Sequence, residues 1–132
     1  MRRVLMLFAF VFSAAPFAAH HNVTQIYDAI RPVPLIGTVT AFEYRNPHTF
    51  IFVDAKDSAG AVVNWKVELL AGLMLNREGI TRDSLHVGDA ISMTACLAKD
   101  GSHTATAQFI FIPSAFENHR AGLCKAVSPP TR

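Results

Sequence analysis

Residues 62–70, "VVNWKVELL", constrain the fold of this chain more than any other stretch. Val63, Trp65, Val67 and Leu69 fall on one face of an extended backbone, and Asn64, Lys66 and Glu68 fall on the other. Successive strand side chains point to opposite faces. Period-two alternation of this kind therefore needs a sheet with one face against a core and the other in water.

The flanking segments supply partners. "LIGTVTAFEY" (35–44) is rich in β-branched and aromatic residues and stops at Arg45-Asn46-Pro47. "TFIFVDA" (49–55) follows and ends in "KDSAG", a connection of hairpin length. "AGLMLNREG" (71–79) suits one or two helical turns with Gly79 as the stop. In "TRDSLHVGD" (81–89) Leu85 reads as a plug into the core, and Thr81, Asp83 and Ser84 as a turn or cap. "AISMTACLA" (90–98) sets Ile91, Met93, Ala95 and Leu97 against Ser92, Thr94 and Cys96. "KDGS" (99–102) is a turn by its Asp-Gly step, and "TATAQFIFI" (104–112) is the last strand, closed by Pro113. Trp65 reads as core together with Phe50, Phe52, Phe109 and Phe111.

Strand-strand-strand-helix-strand-strand predicts a mainly β protein, a small OB-like five-stranded barrel with one short helix plugging an end. A two-layer open sheet with the helix across it is the alternative.

The amino terminus reads as an export signal. Met1-Arg2-Arg3 precedes the apolar run "VLMLFAFVFSAA" (4–15), which Pro16 closes. The run is short of the about 20 apolar residues that a membrane span needs, and none of that length follows. Cleavage fits after residue 15, 18 or 19. The expected division is a signal over 1–19, a barrel domain over 20–113 and an irregular tail over 114–132, with no membrane span in the mature chain and a periplasmic or secreted location. A mature chain of about 110 residues suits one domain with a core of its own.

Loss of Arg2 and Arg3 would leave as many basic as acidic residues, since the whole chain has 12 and 10. Such a balance argues against nucleic acid, which calls for a concentrated basic face. It argues equally against docking on anionic membrane. Cys96 and Cys124 are the two cysteines. An isolated pair in an oxidising compartment points to a disulfide, with two free thiols as the alternative. Cys96 falls on the outward face of its strand, from where a bridge would pin the tail to the barrel wall.

"AHHN", "GTVTAFEYRNPHTFIFVD", "VVNWKVE", "GITRDSLHVGDAISMTA" and "AKDGS", taken in this order, resemble an uncharacterised family of small exported bacterial proteins. That family is catalogued as a domain of unknown function, family 6152, with a His-His pair near the mature start and an Asn-Pro-His step. The resemblance runs from about His20 to Pro113. It implies a small β-barrel and carries no established activity. The chain departs from the pattern at Asn22, at "LLAG" (69–72) and at Ile80.

The histidines carry the chemistry that the sequence offers. Cleavage after Ala19 would give His20 a free amine and an imidazole for one metal, a chelate that favours copper. Cleavage after Ala18 would make His21 the third residue, whose imidazole joins the amine and two backbone nitrogens in a square plane. The ordinary alternative is a polar terminus. His48 is the in-fold candidate, placed at the barrel mouth by Pro47, and Asn46 would cap the turn or hold its imidazole. A plain β-turn is the alternative there. His86, His103 and His119 read as solvated, and Asp54 and Glu68 as ordinary strand-edge charges.

No Ser-His-Asp order, phosphate loop or HExxH spacing is present, so no catalytic residue is assigned. Two functions follow. One is an exported, non-enzymatic binding or adaptor module for a protein or small ligand. The other is a periplasmic copper-binding protein that uses His20, His21 and His48.

Overall fold

In a computed structural model, which describes residues 23–113 and 117–125, the alternating stretch is strand β3 (Val62–Leu69). Trp65, Val67 and Leu69 are buried, and Asn64 and Lys66 are exposed. β3 pairs antiparallel with β2 (Thr49–Lys56) along its length, from Thr49↔Leu69 to Lys56↔Val62. The long strand β1 (Val33–Glu43) serves two neighbours. Its first half pairs with β4 (Ala90–Leu97) and its second with β2.

A bulge between Val39 and Ala41 lets β1 coil from one partner to the other. At Gly37, paired with both Ala55 and Ile91, a Cβ would overlap the Asp54 carbonyl oxygen. Only glycine fits so close an approach. β5 (Thr104–Ile112) runs antiparallel to β4 and parallel to β3 at Lys66–Glu68, which closes the ring β1-β2-β3-β5-β4. The fold is thus the closed five-stranded OB-like barrel that the element order predicts.

Two short helices precede β1 and follow β3: α1 (Val23–Ile26) and α2 (Gly72–Arg77). Leu75 of α2 is fully buried and joins Ile80 and Leu85 at the barrel end, the plug expected there. Gly79, with φ +89°, reverses the chain after α2, and the Ile80 N–H returns to the Leu75 carbonyl at 2.9 Å. The Thr81 N–H is held by Ser84 Oγ at 2.8 Å, as a turn requires. Among the described residues no helix is long and apolar enough to cross a membrane.

Three expectations are corrected. Phe50, Phe52, Phe109 and Phe111 face outward and are not core. The β2–β3 register sets Thr49, Ile51 and Val53 opposite Leu69, Val67 and Trp65, so those residues fill the interior. Thr49 obscures this phase in the sequence: it is fully buried, and its hydroxyl donates to the Arg45 carbonyl at 3.0 Å. Secondly, the tail beyond Pro113 contains a strand, β6 (Glu117–Arg120), paired with the second half of β5. "ENHR" has no alternation to announce it, because backbone pairing holds it there. Thirdly, His119 on β6 is largely enclosed, with 11% of its side chain exposed. Its Nδ1 lies 2.9 Å from the Glu78 carbonyl oxygen, which ties β6 to the end of α2.

Cys96 and Cys124 form a disulfide with their Cα atoms 5.6 Å apart. As alternation suggests, Cys96 lies outside the barrel core, in a second cluster with Tyr27, Ala29 and Cys124. The bridge fastens the tail to the wall across a sequence separation of 28, and closing a loop of that size contributes about 3.5 kcal/mol.

Candidate functional site

Three segments far apart in sequence meet on the outer face of β2 and β3. The Asn46-Pro47 peptide bond is cis, and His48 follows it at the start of β2, on the same outer face as Phe50. Phe50 lies directly across from Glu68 in the β2–β3 pairing. Glu68 leans toward the strand end and takes His48 Nδ1 at 2.7 Å on Oε1. Its other oxygen, Oε2, accepts the Tyr27 hydroxyl at 2.8 Å. One carboxylate thereby holds an imidazole and a phenol.

Tyr27 is brought there by the turn after α1. It bridges to Ala98, the Asp28 N–H donates to the Leu97 carbonyl at 2.8 Å, and the Lys99 N–H donates to the Ile26 carbonyl at 2.9 Å. Beneath it lies the disulfide. Burial pushes the Tyr27 phenol pKa well up from its ordinary value. The hydrogen bond to Glu68 and the negative charges of Glu68 and Asp100 add to the effect.

On the opposite side the tail supplies Leu123. Its N–H is 3.3 Å from Thr106 Oγ1, and that buried hydroxyl donates to the Glu68 backbone carbonyl at 3.1 Å. The disulfide-held tail and the Glu68 strand are therefore linked through one threonine.

Between these parts lies a cavity of about 270 Å³. Val23 and Ile26 of α1, Leu123 of the tail and the Phe50 ring make its apolar walls, and Tyr27, Glu68 and His48 its polar end. The volume is nearly twice the about 150 Å³ that accepts a benzene ring in an apolar cavity. Outside the cavity Lys66 Nζ lies 4.3 Å from the Phe50 ring centroid, which fixes the ring from its outer side.

The His48 imidazole thus stands against Glu68, with Nδ1 2.7 Å from Oε1. Asn46 does something else: its Oδ1 accepts the Leu73 N–H at 3.1 Å and seats the first turn of α2. His20 and His21 lie outside the described residues. Among the described residues no group of three or more His, Cys, Asp or Glu side chains is placed to hold a metal ion. His86 and His103 are exposed, His103 standing edge-on to Trp65 at 5.1 Å.

Sequence reasoning set Glu68 aside as an ordinary strand-edge charge and passed over Tyr27. A signal for Glu68 was present, since a β2–β3 hairpin puts the outward-facing His48, Phe50 and Glu68 side by side. Tyr27 carried none, because its contact with Glu68 spans 41 residues.

No curated protein and no solved structure matches the chain. The sequence pattern of a family of unknown function, DUF6152, matches residues 9–108, which is most of the barrel. The chain belongs to that family of unknown function.

Proposed function

We propose that the protein is an exported, non-enzymatic binding module whose ligand occupies the cavity between α1, Phe50 and Leu123. One observation carries this reading: Glu68 holds Tyr27 and His48 together at the polar end of a slot with apolar walls. Small-ligand sites are concave and mostly apolar, with a few placed polar groups. The cavity also lies on the β2–β3 face that OB-type barrels use for ligands, which is support by analogy of fold. The cationic, apolar start of the chain supports export to the periplasm or beyond. Its balanced charge favours a small ligand or protein over nucleic acid.

Toluene, a small apolar probe, tests the site by NMR titration of the mature chain. The expected result is saturable amide shifts confined to Val23, Ile26, Phe50, Glu68 and Leu123. These shifts disappear in Ile26→Trp, which fills the slot from a half-exposed position. Shifts scattered over the surface, or unchanged in that variant, would refute the reading.

A second reading, copper binding through His20, His21 and His48, draws on the Glu68–Nδ1 contact. Metal-ligating histidines usually give their other nitrogen to such a carboxylate, which sets the tautomer so that Nε2 carries the lone pair. Intact-mass measurement of the exported protein fixes its first residue, and Cu(II) titration then follows. Wild type is expected to bind more tightly than His48→Ala. A chain that starts at Pro16, or equal affinity in the two proteins, ends this reading.

A further inference from the structure

We infer that the cavity selects an uncharged ring carrying a hydroxyl group, a small phenol in chemical class, and rejects the carboxylate of the same shape. This rests on the cavity being a ligand site, and it goes further by assigning the head group. The apolar walls, Val23, Ile26, Phe50 and Leu123, admit a ring but offer nothing to a polar substituent. All polar recognition must come from the other end, where Glu68 is the central group.

An ionised carboxylate accepts about four hydrogen bonds. The Tyr27 hydroxyl supplies one on Oε2, and His48 Nδ1 stands 2.7 Å from Oε1, so a ligand hydroxyl can donate another. Such a bond to an ionised acceptor in a partly dry site is among the stronger neutral-to-charged contacts.

The charge of the lining decides the rest. Among the described residues, Glu68 and His48 are its ionisable groups apart from the Tyr27 phenol, which burial keeps protonated. The described lining holds one carboxylate, that of Glu68, and no lysine or arginine. The cations next to this lining are Lys66 and Arg45, 4.3 and 5.7 Å from the centroid of the Phe50 ring. A carboxylate head would enter next to Glu68 and lose its hydration, and no lysine or arginine among the described lining residues would pair with it. An ammonium head gains little more, because Tyr27 and His48 already share the Glu68 charge while the walls cannot solvate a cation.

Three probes of one shape decide it: p-cresol, toluene and 4-methylbenzoate, titrated into the mature chain at neutral pH. p-Cresol is expected to bind several-fold more tightly than toluene. It should also bind at least about tenfold more tightly than 4-methylbenzoate, the effect of one charge-assisted hydrogen bond. Glu68→Gln, which keeps the shape and removes the charge, is expected to narrow the gap between p-cresol and 4-methylbenzoate. The comparison on the unaltered chain stands without that variant if it folds poorly. Equal or tighter binding of 4-methylbenzoate, or of toluene, overturns the head-group assignment while leaving the cavity as a site. Failure of all three probes to bind overturns the cavity reading itself.

Discussion

Two histidines of this barrel sit in similar company and are put to different use. His119 and His48 each lie within hydrogen-bonding reach of a glutamate carboxylate, Glu117 Oε2 at 3.2 Å and Glu68 Oε1 at 2.7 Å. His119 is packed over Gly79 with its second nitrogen on the Glu78 carbonyl, so both ring nitrogens meet protein atoms and join β6 to the end of α2. His48 has 39% of its side chain exposed, and its carboxylate is shared with a tyrosine on the wall of a cavity. The pairing itself therefore says nothing about function. What separates the two is what borders the pair: packed backbone in one region and an apolar slot in the other.

That contrast can be broken by removing each ring in turn. His119→Ala deletes a partly buried side chain and a hydrogen bond to a helix-end carbonyl. A loss of about 1–2 kcal/mol in unfolding free energy is expected. Its affinity for p-cresol should stay as in wild type. His48→Ala is expected to cost less than about 1 kcal/mol, because a half-exposed pair is weakened by solvent. It should nevertheless weaken p-cresol binding, since Glu68 loses one of the two groups that fix it. Chemical denaturation and titration of both variants measure the two quantities. If His119→Ala weakened binding as much as His48→Ala did, the division into a joint and a site would be wrong.

How much of this was readable beforehand follows from the range of the interactions involved. The alternation around Trp65 is a local signal, and such signals led correctly to the closed barrel, to the short helix and Leu85 as the plug region and to Gly79 as the stop. The Cys96–Cys124 bridge was also within reach, because strand phase put Cys96 outside the core. The interior was harder. A buried Thr49 inverted the apparent phase of β2, and large phenylalanines outside a narrow barrel look in sequence like core. β6 was invisible since paired backbone leaves no side-chain pattern. In the candidate site, His48 was singled out from Asn46-Pro47, but Glu68 needed the hairpin register and Tyr27 needed the tertiary fold.

Tyr27 offers the smallest of these effects and the sharpest view of the site region alone. Its phenol is held protonated in the folded chain by burial first and by Glu68 second, so its folded pKa lies above the ordinary value of 10.0. An acid whose pKa is raised on folding keeps its proton in the native state while the unfolded chain loses it. The stabilisation is then complete below about pH 10 and declines as pH rises beyond it. At pH 10.5 the loss should be about 0.8 kcal/mol, from the unfolded phenol alone. Tyr27→Phe has no proton to lose, so its unfolding free energy should fall less steeply over that interval than that of wild type. It should also start lower at neutral pH, by about 1 kcal/mol for the lost bond to Glu68. Parallel curves for the two proteins between pH 9 and 10.5 would mean that Tyr27 ionises as freely folded as unfolded. Glu68 would then hold His48 alone, and the cavity end would resemble the His119 joint more than a site.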